Sequence, residues 1–105
     1  MKVVFHVDEL EKWSEAAKNI KNLLKLKPDT EIILVVNGSG IQSYQLKAAH
    51  EFISSYPMVS FHACQNALKA FHLEKSDLPQ GVEIVPAGVI DLIELQEKGY
   101  AYIKP

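Results

Sequence analysis

The sequence has a single cysteine, no long hydrophobic run and no block of basic residues. One cysteine cannot form an internal disulfide, which agrees with a reducing compartment. The longest apolar stretches, such as residues 32–36, are far short of the ~20 residues that span a bilayer. The opening residues reach Asp8 and Glu9 too early for a secretion signal. We therefore expect a cytoplasmic protein with no membrane partner.

Charge and histidine spacing exclude two further classes of site. With 11 Lys+Arg against 13 Asp+Glu, the formal net charge is −2, so the chain lacks a surface that neutralises phosphates, and we expect no nucleic-acid partner. The four histidines show no i,i+4 pairing and no cysteine at zinc-site spacing. We predict neither a metal nor another cofactor.

Length and composition predict one globular domain over residues 1–105, because 48% of the residues are hydrophobic and Gly and Pro number only five each. Strand-like and helix-like stretches alternate with few residues between them, which is typical of an α/β fold with a parallel sheet. The predicted strands are residues 2–7, 31–36, 58–63, 82–85 and 100–103.

Four helices are predicted between these five strands. The first has Asp8 as its cap and Glu11 closing a capping box. The second runs from Ile41 to Phe52 on one apolar stripe, and the third covers residues 65–73. Gly99 is expected to end the last helix in a left-handed conformation.

Polar and small residues follow the strands at one edge of the predicted sheet, where ligands of open α/β folds bind. The candidate binding residues are His6, Asn37, Gly38, Ser39, Gly40, Gln65, Asn66 and Gly88. Residues 37–40 form either an anion-binding nest of backbone amides or an ordinary strand-to-helix turn. The turn is favoured, because the lysine and spacing of a Walker loop are missing.

Cys64 is the candidate catalytic residue. It follows a predicted strand and precedes a predicted helix, where the helix dipole and nearby amides of Gln65 and Asn66 favour thiolate over thiol. The alternative is an inert buried cysteine, since free cysteine is among the most buried residue types. The residues alone leave both interpretations open.

Several local strings resemble one known family over essentially the whole chain. They are Val4 to Asp8, Asn37-Gly38, Cys64 to Leu68 and residues 99–103. Together they resemble the DsrE/DsrF-like family of small sulfur-metabolism proteins, particularly its short stand-alone branch. The resemblance implies a three-layer α/β/α fold on a five-stranded parallel sheet. It also implies a cysteine that carries sulfur as a persulfide, which here is Cys64.

Two strand orders fit the predicted elements and place the site residues differently. A flavodoxin-like order 2-1-3-4-5 puts His6 beside Cys64. The order 4-3-2-1-5, which the resemblance implies, inserts the second strand between them and makes Asn37 and Gly38 the nearer neighbours of Cys64. We favour the second order.

These observations predict a sulfur-handling protein in which Cys64 accepts sulfane sulfur and passes it on, with sulfur donor and acceptor proteins as possible partners. The alternative function is a non-catalytic oligomeric module that binds a small anion or nucleotide and uses Cys64 only for packing.

A homo-oligomer is expected on two grounds. The resemblance implies trimers or hexamers, and Tyr100 and Tyr102 fall in a short terminal strand with a face available to a neighbour. We favour a trimer, with a hexamer or dimer as alternatives. In such an assembly His62 or Tyr44 is expected to complete the Cys64 pocket of a neighbouring subunit.

Overall fold

A computed structural model of the chain describes all residues from 1 to 105. Its single sheet contains five strands, all paired in parallel, in the order β4-β3-β2-β1-β5. The strands are β1 (Lys2–Val7), β2 (Glu31–Val36), β3 (Ser60–Cys64), β4 (Val82–Val85) and β5 (Ala101–Ile103). The favoured order is confirmed, and the flavodoxin-like alternative is wrong.

Four α-helices and three 3₁₀ segments connect the strands. The helices are α1 (Trp13–Leu26), α2 (Lys47–Ser55), α3 (Gln65–Ala70) and α4 (Gly88–Glu97). The 3₁₀ segments are Leu10–Lys12, Gly38–Gln45 and Lys75–Asp77. None of the helices combines the length and apolar character required to cross a membrane.

The start of the first helix differs from the prediction. A 3₁₀ turn precedes α1, Glu9 occupies its N-cap, and no side chain caps it. Asp8 instead pairs with Lys104, whose Nζ lies 3.5 Å from Asp8 Oδ2. The predicted capping box of Asp8 and Glu11 is therefore wrong.

The second predicted helix is divided into two parts. Residues Gly38–Gln45 form a 3₁₀ run, and Leu46 is extended, with φ −73° and ψ 139°, before α2 begins at Lys47. The break changes the phase of the apolar stripe, so that Ala49 is buried and Ala48 is exposed. One continuous helix from Ile41 to Phe52 is wrong, because a residue in the β region interrupts it.

The two faces of the sheet are covered unequally. On one face, α1, α2 and the 3₁₀ run enclose a core of 19 buried residues, in which Trp13 meets Tyr44 edge to face with ring centroids 5.9 Å apart. On the other face, Leu92 and Leu95 of α4 pack on Val4 and Val35. Helices therefore flank the sheet on both sides, as the three-layer prediction required.

Candidate functional site

A pocket of about 310 Å³ lies beyond the carboxyl ends of β2 and β3, beside the start of α4. The strand order creates it, because β2 and β3 are neighbours and their carboxyl ends meet at one edge of the sheet. Five of the predicted site residues line it together, namely Asn37, Gly38, Cys64, Asn66 and Gly88. Most of the remaining wall is apolar, from α3 and its end and from the start of α4.

Cys64 is the last residue of β3 and the N-cap of α3. It is 5% exposed and packs in the main core with Ala67 and Leu68. Its extended backbone places it just before a first helical turn, where amides have no partner within the helix. The pocket wall thus includes the chain's only thiol.

A chain of hydrogen-bonded side chains reaches this pocket from the far edge of the sheet. The Oη of Tyr102 in β5 lies 2.6 Å from His6 Nδ1 in β1, and His6 Nε2 lies 2.8 Å from the Oδ1 of Asn37, which follows β2. His6 is therefore not a direct neighbour of Cys64. It contacts the pocket lining through Asn37.

Residues 38–40 are shaped by the backbone of the first strand. A Cβ on Gly38, whose φ is +53°, would lie 2.8 Å from the carbonyl oxygen of Asp8, and a Cβ on Gly40 would lie 2.7 Å from that of Val7. Ser39 Oγ donates to the Asp8 carbonyl at 3.4 Å. The segment is thus the start of the 3₁₀ run, packed closely against the end of β1, and only Gly38 of its three residues lines the pocket.

Gln65 also lies outside the pocket lining and is half-buried at the start of α3. The predicted residues therefore fall into three groups. Four line the pocket with Cys64, His6 reaches the lining only through Asn37, and Ser39, Gly40 and Gln65 lie outside the lining.

His62 lies on the face of the sheet that α4 covers. Its Nδ1 is 2.7 Å from Asp91 Oδ2, and its Nε2 is 3.2 Å from Glu83 Oε2. Nowhere in the chain do three or more His, Cys, Asp or Glu side chains come together in a group suited to a metal ion. His62 instead connects β3 to β4 and to α4.

Tyr44 is fully buried, and its hydroxyl donates to the carbonyl oxygen of His62 at 2.8 Å. Burial raises the pKa of Tyr44 well above its ordinary value, because the phenolate loses solvation. A side chain enclosed in its own core cannot reach another subunit, so the expectation that Tyr44 completes a neighbour's pocket is wrong.

The contact of Tyr102 with His6 could not be predicted from the sequence. Tyr102 pairs with Val4 in the β1–β5 register, which brings it near His6 across 96 residues of sequence. The sequence also gives no sign that Ala70 and Phe71 line the pocket, because apolar residues at a helix end carry no chemical signal of their own.

A second pocket, of about 400 Å³, lies near the amino ends of β3 and β4. Its lining includes His50, Ser54, Phe61 and Gly81. None of the predicted site residues belongs to it. The site around Cys64 and this second pocket are therefore separate features.

Comparison with known proteins identifies similar sequences and folds. A family model described as the DsrE/DsrF-like family matches residues 1–105. The chain is similar to MTH1491, a protein of unknown function from Methanobacterium thermoautotrophicum whose structure is solved. The two sequences are 30% identical and the two structures superpose with a TM-score of 0.91. The match covers 99% of this chain and 98% of that one. A search of curated proteins gave no match.

The ychN protein from E. coli is a more distant structural match. Its sequence is 12% identical to this chain, the TM-score is 0.79, and the match covers 100% of each chain. At that identity, the match shows a shared fold alone.

Proposed function

This chain belongs to the DsrE/DsrF-like family, which is generally linked to sulfur metabolism, and from that premise we propose that Cys64 carries sulfur as a persulfide. The observation that carries the proposal is that the only thiol of the chain lines the pocket at the carboxyl ends of β2 and β3. This is the position at which open α/β folds place their ligands.

The proposed reaction is a transfer of sulfane sulfur without net oxidation. The Cys64 thiolate attacks the outer sulfur of a donor persulfide, an S–S bond to Cys64 Sγ forms, and the donor's S–S bond breaks to release a thiolate. An acceptor thiolate then attacks the outer sulfur of the Cys64 persulfide. That second step restores the Cys64 thiolate and leaves the persulfide on the acceptor.

The surroundings of Cys64 suit this chemistry. Most of the pocket wall is apolar, and Asn37 contributes an amide to it. No side chain caps the first turn of α3, so its backbone amides are further donors for a negative sulfur. Burial to 5% exposure restricts the thiol to small donors or to a donor residue that enters the pocket.

The burial of Cys64 also supports a second candidate function. Cys64 belongs to the main core cluster, as a cysteine with a purely structural role would. In that case, the pocket holds a small anion or nucleotide without covalent chemistry, and the chain acts as a binding module.

Intact mass measurement after incubation with a sulfane donor separates the two functions. The carrier predicts a gain of one sulfur atom on the wild type, reversed by a reducing thiol and absent from Cys64→Ser. The binding module predicts no gain on native wild-type protein, together with a gain once the protein is unfolded and the thiol exposed. The unfolded control shows that the donor is active.

We further propose that the chain assembles with copies of itself, as a trimer in preference to a hexamer or dimer. Support comes from α4, where Val89, Ile90 and Ile93 are all more than half exposed and share one helical face. Val89 also lines the Cys64 pocket. A second copy seated on this face therefore lies next to the pocket entrance.

A further inference from the structure

We propose that Tyr102 and His6 are positioning residues that fix the amide of Asn37, so that its NH₂ group faces the Cys64 pocket and favours anionic sulfur compounds. The inference rests on the proposed function, because it names the class of compound that the same pocket takes. Its structural basis is the hydrogen-bonded chain that links β5, β1 and the end of β2.

The proton positions along this chain follow from what each group can donate. Asn37 Oδ1 is a carbonyl oxygen and only accepts, so His6 Nε2 carries the proton of that 2.8 Å bond. In a neutral imidazole, Nδ1 is then an acceptor, and the Tyr102 hydroxyl donates to it at 2.6 Å. The Tyr102 hydroxyl can donate or accept, so it is the orientation of Asn37, with Oδ1 towards Nε2, that sets this tautomer. The bond from Tyr102 holds the His6 ring in the position at which Nε2 meets Asn37 Oδ1.

The orientation of Asn37 decides what the pocket offers to a ligand. With Oδ1 bonded to His6, the NH₂ group is the part of the Asn37 side chain that remains to donate to a ligand. An ideal Cβ on Gly88 would lie 3.2 Å from Asn37 Nδ2, which places the NH₂ group beside the first residue of α4. Asn37 and Gly88 line the pocket with Cys64. If the amide were reversed, the pocket would present a carbonyl oxygen, which repels an anion.

A donor fixed in the same mostly apolar pocket as a thiol has a selective effect. It stabilises a negative group that enters with the reacting sulfur, and it does little for a neutral reagent of the same size. The pocket should therefore prefer persulfide anions and other sulfane compounds that carry negative charge close to the transferred sulfur.

The test compares alkylation of Cys64 by iodoacetate and by iodoacetamide, two reagents of similar size that differ in charge. Tyr102→Phe removes only the hydroxyl that contacts His6. We expect the ratio of the iodoacetate rate to the iodoacetamide rate to fall roughly fivefold. This is the change in rate that corresponds to the net free energy of one ordinary hydrogen bond. A loss of general packing would change both rates together and leave their ratio constant.

Tyr100→Phe is the matched control, because the Tyr100 hydroxyl bonds Glu31 rather than His6. Its ratio should equal that of the wild type. In an Asn37→Ala background, where no amide remains to orient, Tyr102→Phe should produce no further fall. A ratio unchanged by Tyr102→Phe, or lowered equally by Tyr100→Phe, would overturn the proposal.

Nitrogen NMR of the His6 ring gives a second readout that does not depend on Cys64. We expect the Nε2–H tautomer in the neutral wild type and a mixture of tautomers in Tyr102→Phe. A wild-type ring protonated at Nδ1 would overturn the positioning role. If wild-type Cys64 gains no sulfur from a sulfane donor, the proposed sulfur transfer fails, while the ring spectra still decide whether the pair positions Asn37.

Discussion

His62 Nδ1 lies 2.7 Å from Asp91 Oδ2, which ties the middle of β3 to the first turn of α4. The other ring nitrogen faces Glu83 at 3.2 Å, but the Asp91 side chain is only 14% exposed and that of Glu83 is 73% exposed. One imidazole therefore has a shielded carboxylate and a solvated one. The shielded contact holds the helix whose start lines the Cys64 pocket.

Asp91→Asn should lower the free energy of unfolding by about 2 kcal/mol, because it removes the charge from a shielded hydrogen bond. Glu83→Gln should change it by less than about 0.5 kcal/mol, since solvent already screens that pair. Urea unfolding followed by the fluorescence of Trp13, the only tryptophan, measures both. Equal losses in the two variants would contradict the difference in shielding.

The fold could be predicted because its main signals are local. The aliphatic run 31–36 is covered on both faces of the sheet and ends at the Asn37-Gly38 turn, so the strand appears with the predicted bounds. The order of the strands came from the resemblance, since periodicity alone permits two orders. That order in turn brought Asn37 and Gly38 beside Cys64.

What could not be predicted depends on contacts between distant segments. Leu46 is extended although its neighbours favour a helix, and no local signal marks that break. The bond between Tyr102 and His6 depends on the register of a three-residue edge strand, which the sequence does not specify. Propensity and periodicity describe residues that are close along the chain, so they do not predict such long-range contacts.

Gly40→Ala should destabilise the fold by about 1–3 kcal/mol, since its methyl group has no space to occupy. The added Cβ would lie 2.7 Å from the carbonyl oxygen of Val7, a backbone atom at the end of the interior strand β1. Thermal unfolding of this variant and of Ser39→Ala provides the comparison. Ser39→Ala removes only a 3.4 Å hydrogen bond, so its free energy of unfolding should stay within about 0.5 kcal/mol of the wild-type value.

Stability should fall in alkali because of Tyr44. Burial raises the pKa of Tyr44, so its hydroxyl stays protonated in the folded chain after it ionises in the unfolded chain near pH 10. The contribution of Tyr44 to stability is complete below about pH 10 and is lost as the pH rises towards the higher folded value. The measurement is the urea concentration at the midpoint of unfolding, taken at several pH values above 9. Its fall with pH gives the slope of stability against pH.

Tyr44→Phe should make the loss of stability with rising pH less steep. At neutral pH it should lower the free energy of unfolding by about 1 kcal/mol, because the hydrogen bond to the His62 carbonyl is lost. Tyr100 acts in the same direction, because partial burial and then the hydrogen bond and charge of Glu31 raise its pKa. The double variant Tyr44→Phe with Tyr100→Phe should therefore have the flattest profile. A Tyr44→Phe variant with the full alkaline slope would assign the effect to another group.

Assembly should depend on the exposed face of α4. Ile93 is 53% exposed and lies one turn from Val89 and Ile90, so a glutamate at position 93 would place a charge within the proposed interface between copies. We expect light scattering at low micromolar concentration to give a wild-type mass about three times the 11.8 kDa of one chain. Ile93→Glu should reduce it to that of one chain.

Leu26→Glu is the matched control for this experiment. Leu26 is 79% exposed at the end of α1, on the opposite side of the sheet from α4, so the same change of residue should leave the mass unaltered. A wild-type mass of one chain would refute the assembly, and a mass of two or six chains would replace the trimer with a dimer or hexamer. Because Val89 belongs both to this face and to the pocket lining, Ile93→Glu should also speed the alkylation of Cys64 if a neighbouring copy covers the pocket entrance.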